Sequence, residues 1–191
     1  MAKDIVYTAN VTIEGVTPLL MHKMSVAGLS KKPRTAETDY SGEWKSTAYL
    51  NERGHLVCPS ANIESMMIGA SKGRKIGKHA ESKFMAQVTI QEFEPTIHVN
   101  GNPVTLDMVA ENNWIDIRSV VIKKDRVARS RICIPVGWEL KFTLVVKTPM
   151  LPAEEMRDLL ETAGELVGLM DYRPEKKGKF GQFEITKFMK S

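Results

Sequence analysis

Much of the equipment of common enzymes is missing from this sequence. It holds two cysteines, Cys58 and Cys133, far apart and each close to a proline in an apolar segment. Thiols so placed read as buried and free, in a reducing, cytoplasmic compartment. No His/Cys spacing suits zinc and the acidic residues are dispersed, so neither a metal nor a cofactor is expected. The order Gly-x4-Gly-Lys-Ser/Thr is absent, which excludes a P-loop NTPase. No apolar run is long enough to cross a bilayer, so no membrane partner is expected, and Met1–Tyr7 reads as the approach to a strand and not as a signal peptide. No repeat or low-complexity tract appears. The excess of positive charge is small: net +4, with a pI near 9.0. That permits a nucleic-acid partner without requiring one, so the clustering of charge has to decide.

What is present is ordinary globular composition, 42% hydrophobic and 26% charged over 191 residues. That suits a single domain spanning 1–191, with insertions at about 25–53 and 114–134. Alternation predicts a strand over Ile5–Ile13, with Ile5, Tyr7, Ala9, Val11 and Ile13 on one face. A second strand is predicted over Gly137–Lys147, burying Trp138, Leu140, Phe142, Leu144 and Val146. Helical spacing predicts Ala61–Ser71, N-capped by Ser60, with Ile63, Met66, Met67 and Ala70 buried. It also predicts Ala153–Leu169, burying Met156, Leu159, Leu160, Ala163, Leu166 and Val167, with Pro152 near its first turn. Phe84–Phe93 and Thr96–Val99 read as strands, Asn100-Gly101 as a turn, Leu106–Asn113 as a short helix or loop, and Gln182–Phe188 as a closing strand. With the insertions removed the order is β-α-β-β-α-β. This is the α+β, ferredoxin-like or RRM-like plan, an antiparallel sheet carrying both helices on one face.

Basic residues gather in four places. Lys31, Lys32 and Arg34 lie in the polar insertion, with Tyr40, Trp44, Lys45 and Tyr49 behind them; aromatics among lysines suit base stacking, and Trp44 and Tyr49 equally suit pinning the loop to the core. Lys72, Arg74, Lys75 and Lys78 follow the first helix. Arg118, Lys123, Lys124, Arg126, Arg129 and Arg131 lie on a predicted hairpin of Trp114–Ile122 and Arg129–Ile134, opposed by Asp116 and Asp125; hairpin charges also serve to block edge pairing. The fourth is the glycine-punctuated loop Asp171–Gly181, with Tyr172, Arg173, Lys176, Lys177 and Lys179, which by itself also fits a solvated surface loop.

These segments resemble a known family. The last helix with "GLMDYRPEKKGKFGQFEI" is similar to the glycine-rich loop and closing strand of the RAMP superfamily, the RRM-like proteins of CRISPR systems, and above all to their guide-RNA-coating backbone subunit. "TPLLMH", "CPSANIESMMIGASK" and the "SR" pair of the hairpin also resemble uncharacterised phage proteins with that architecture. The resemblance touches most of the chain. It implies a single strand of DNA or RNA bound along a positive face by many copies side by side, in the host cytoplasm if the chain is viral. The RNP aromatic motifs of true RRM proteins are absent, so sequence-specific stacking on the sheet is not expected.

The leading expectation is a non-catalytic protein that binds single-stranded DNA or RNA through phosphate contacts as a homo-oligomer. Two others stand beside it. Some RAMP proteins are metal-independent endoribonucleases that use a histidine, and His22 lies where such a residue could serve, although no acid or base partner is visible in the sequence. A phage assembly or host-inhibitor protein would instead turn the same basic faces toward an acidic protein.

Overall fold

The computed structural model describes residues 5–23, 42–77, 79–122 and 125–191. In chain order the elements are β1 (Tyr7–Gly15), β2 (Leu19–Met21), α1 (Glu43–Ser46), α2 (Ser60–Ala70), β3 (Lys75–Ile76), β4 (His79–Ala80), β5 (Val88–Ile90), β6 (Ile97–Val99) and β7 (Asn102–Pro103). There follow α3 (Leu106–Glu111), β8 (Ile115–Ile122), β9 (Asp125–Ile134), β10 (Trp138–Val146), α4 (Ala153–Thr162) and β11 (Phe183–Lys190).

The two strongly alternating segments lie side by side. β1 and β10 are antiparallel, from Tyr7 opposite Val146 to Glu14 opposite Glu139. Their apolar sets, Tyr7, Ala9, Val11 and Ile13 with Trp138, Leu140, Phe142, Leu144 and Val146, are all buried. β11 closes the other side of β1, while β5 and β6 both pair with β10 and β7 extends the sheet from β6. With α2 and α4 as the connecting helices, this is the ferredoxin-like plan. Ile63, Met66, Met67 and Ala70 of α2, and Met156, Leu159 and Leu160 of α4, bury in the same core as the sheet. Asn100 and Gly101 take φ of 51° and 76° between β6 and β7, the left-handed pair that a two-residue hairpin turn requires.

Several local expectations are corrected. Glu81–Gln87 winds as 3₁₀ turns, so the strand expected from Phe84 begins only at Val88. Lys83-Phe-Met-Ala-Gln87 is made of residues that tolerate helical turns, and Ala86, which a strand would bury with Phe84, is exposed. Ser60 is the first helical residue of α2 and caps nothing. Beyond Thr162 the last helix widens into a π turn over Ala163–Val167. The extra residue rotates the following side chains, and Leu166, expected on the buried face, is 61% exposed. Ile5 lies outside β1 and is exposed.

A second sheet, β2-β9-β8, is not hydrogen-bonded to the main one, but its Leu19, Met21, Ile132 and Ile134 bury in the same core. Its hairpin is longer than expected, β9 beginning at Asp125.

Tyr7 carries a pH signature. Its hydroxyl donates to the Leu151 carbonyl at 2.8 Å, and burial, with Glu154 nearby, pushes its pKa up from 10.0 to about 12. Between those values the unfolded phenol loses its proton and the native one keeps it, so unfolding releases a proton and stability falls as pH rises. Urea midpoints measured on either side of pH 10 are expected to show that loss in the wild type and a smaller one in Tyr7→Phe.

Candidate nucleic-acid interface

The segment between the π turn and β11 folds back on itself. Leu169 N–H donates to the Gly181 carbonyl at 2.8 Å and Gly178 N–H to Arg173 at 3.0 Å, and the closed loop docks on the β2 region through Asp171 N–H to Leu20 O at 3.0 Å and Gly181 N–H to Pro18 O at 2.8 Å. A Cβ on Gly178 would run into the carbonyl of Tyr172, and one on Gly181 into that of Leu169, so both glycines are needed for this closure. Three residues that are not glycine, Met170, Tyr172 and Lys177, hold positive φ of 62°, 47° and 62°. Such strain persists where surrounding contacts over-determine it, and it gathers at functional sites.

The loop sorts its cations into two groups. Lys176, Lys177 and Lys179 are exposed and have no carboxylate partner among the described residues. Arg173 is turned inward, donating through Nη1 to Met170 O at 2.9 Å and through Nη2 to Glu175 at 2.8 Å. Lys72 Nζ meets the other oxygen of Glu175 at 2.6 Å. That lysine first and Arg173 next hold the Glu175 carboxyl below its usual range. This ion pair brings the basic segment after α2 beside the loop, a juxtaposition across 103 residues of sequence. Lys75 is exposed there, and Arg74 donates to Thr162 Oγ1 at 3.2 Å.

The hairpin arrives from the other side. The Arg118 guanidinium lies 4.9 Å from the centre of the Phe180 ring, which packs 6.0 Å from the ring of Tyr172. Arg118 also donates to Asp116 at 2.6 Å and keeps 49% of its side chain exposed. Tyr172, 42% exposed, is the open ring of this stack.

Three expected contacts are corrected. Trp44 is 5% exposed within the core, so it pins its segment and offers no ring to a base. Arg129 is paired with Glu43. Arg131 keeps only 9% of its side chain exposed and lies between Asp171, at 2.8 Å, and Asp116, at 3.7 Å. These arginines tie the hairpin to α1 and to the glycine loop, and their charge is already answered. Lys31, Lys32, Arg34, Tyr40, Lys78, Lys123 and Lys124, and the side chain of Arg126, lie outside the described residues.

A cleft opens where β2, α2 and the loop meet. It encloses about 210 Å³ and is lined by His22, Tyr49, Asn62, Met170, Asp171 and Arg173. His22 Nδ1 is buried with no hydrogen-bond partner among the described residues. Burial lowers the His22 pKa more than Asp171 raises it, so the ring is neutral at neutral pH. Asn62 and Tyr49 both turn polar groups to this lining. Asn62 and Phe180 went unmarked in the sequence, since their partners lie far away along the chain and no local pattern flags them. Among the described residues no cluster of three or more His, Cys, Asp or Glu could hold a metal ion, and no helix is long and apolar enough to cross a membrane.

No protein-family model and no curated protein matches this sequence. Among solved structures, the fold is similar to that of a chain in a cryo-EM structure of the Type III-B Cmr-beta bound to cognate target RNA. The TM-score is 0.59 at 12% identity, and the match covers 96% of this chain and 60% of that one. This chain therefore spans less than two thirds of the length of its neighbour, and the likeness is one of fold.

Proposed function

We propose that this chain binds single-stranded nucleic acid without cutting it, through the face built on the glycine loop, with copies arrayed side by side along the strand. One observation carries the reading. Lys176, Lys177 and Lys179 project unpaired among the described residues from the same loop as the open Tyr172 ring, while the arginines around them are neutralised by carboxylates. Unpaired lysines meet phosphates, and an open aromatic ring takes a base of any identity. Arg118, half exposed over Phe180, and Lys75 extend the surface on either side. The neighbour of similar fold belongs to an RNA-bound assembly, which supports the same reading.

The test is the anisotropy of labelled single strands, DNA and RNA in parallel, across a salt series. Three phosphate contacts predict a log–log slope of about −2 or steeper. Failure to bind at low salt would overturn the proposal and leave the basic loop as a docking surface for an acidic protein. The strand should emerge intact; shortening that His22→Ala abolishes would replace this reading with that of an endoribonuclease.

A further inference from the structure

We infer that the cleft beside the glycine loop receives one unstacked base of the bound strand and reads its hydrogen-bonding edge, favouring bases that carry an exocyclic amino group. The inference rests on the strand-binding reading and adds specificity to it.

Charge argues against a phosphate in this cleft. Both Nη groups of Arg173 are engaged by Met170 O and Glu175, and Arg131 behind the cleft is held by Asp171 and Asp116. An entering anion would find those cations answered and the Asp171 carboxylate facing it. What remains open is a set of polar atoms suited to a neutral, flat ligand. Asp171 gives Oδ2 to Arg131, and its side chain stays 38% exposed at the cleft. His22 Nδ1 and Arg173 Nε are buried without a hydrogen-bond partner among the described residues. The Asn62 amide and the Tyr49 hydroxyl complete the lining. Buried polar atoms left unpaired are costly, so a ligand that pairs them gains what the empty cleft lacks.

A nucleobase with an amino group beside a ring nitrogen places a donor next to an acceptor, matching the Asp171 carboxylate on one side and the Arg173 Nε–H on the other. The bond from the amino group to a carboxylate is charge-assisted. Uracil and thymine present their one N–H between two carbonyl oxygens, which the same carboxylate repels. The supply of bases follows from the chain itself. Met170, Asp171 and Arg173 line the cleft, and Lys176, Lys177 and Lys179 stand on the same loop, so a backbone held by the lysines runs past the opening.

The experiment compares strands of one length made only of A, only of C and only of U, each titrated into wild type, His22→Gln, Asn62→Leu and the triple Lys176/Lys177/Lys179→Ala. Wild type is expected to hold oligo-A or oligo-C about five- to tenfold more tightly than oligo-U, the scale of one or two hydrogen bonds. His22→Gln and Asn62→Leu should each shrink that ratio while leaving oligo-U affinity and the salt slope in place. The lysine triple should weaken all three strands alike and keep the ratio. Equal affinity of wild type for all strands, or a ratio that survives both cleft substitutions, overturns the inference while leaving strand binding standing. Absence of binding to every strand removes the reading on which it rests.

Discussion

Replacing Lys176, Lys177 and Lys179 together by glutamate is expected to weaken single-strand binding by about a hundredfold at about 0.1 M salt. Each lost phosphate contact flattens the log–log salt slope by roughly 0.7, so three contacts remove about two decades of affinity at that concentration. The three side chains are exposed, and none makes a described ion pair, so the fold should be untouched. Far-UV circular dichroism and the urea midpoint check that point. Anisotropy across the salt series then reads the binding loss together with the shallower slope. Wild-type affinity in this variant would exclude the glycine loop as the interface, whatever the rest of the surface does.

Removing Arg131 should act on stability instead. Its guanidinium is nearly sealed from solvent, and its loss leaves Asp171, 38% exposed, without a cation and Asp116, 11% exposed, with Arg118 alone. Breaking a buried pair by deleting one partner costs about 3–5 kcal/mol; partial exposure of Asp171 places Arg131→Ala near the low end, at about 3 kcal/mol. Urea unfolding measures it. An Arg131→Ala protein as stable as wild type would mean that the hairpin and the loop are not held together by this contact. Any loss of strand binding in that variant reports a displaced loop, which is why the exposed lysines, and not the hairpin arginines, provide the test of phosphate contact.

The sheet was legible because its signal is local. Tyr7, Ala9, Val11 and Ile13 bury at every second position, and so do Trp138 through Val146, a pattern that depends on nothing outside each strand. The order of strands and helices then sufficed for the ferredoxin-like plan. The candidate interface was half legible. Counting cations located the glycine loop and the hairpin, but a count does not tell a free charge from a paired one. Arg131 finds Asp171 across 40 residues and Arg129 finds Glu43 across 86, distances at which the sequence carries no trace of the pairing. Trp44 had two readings, and burial decided for the core. Leu166 failed for another reason: the 3.6-residue period assumes a regular helix, and the π turn starting at Ala163 breaks it. His22 stood out only as a lone histidine. Its setting beside Asn62 and Asp171 comes from three separate segments meeting.

The central pairing of the main sheet also has a consequence during synthesis. β1 leaves the ribosome well before its partner β10, which ends at Val146, about 130 residues later. At roughly 5–20 residues per second that interval is roughly 7 to 26 s, during which Tyr7, Ala9, Val11 and Ile13 form an apolar strand with both edges open. Its other neighbour, β11, comes later still. A nascent chain in that condition invites pairing with other unfinished chains, and it is a natural client for a chaperone that holds extended apolar segments. Because both neighbours of β1 are made so late, the main sheet assembles only after β11 has been made.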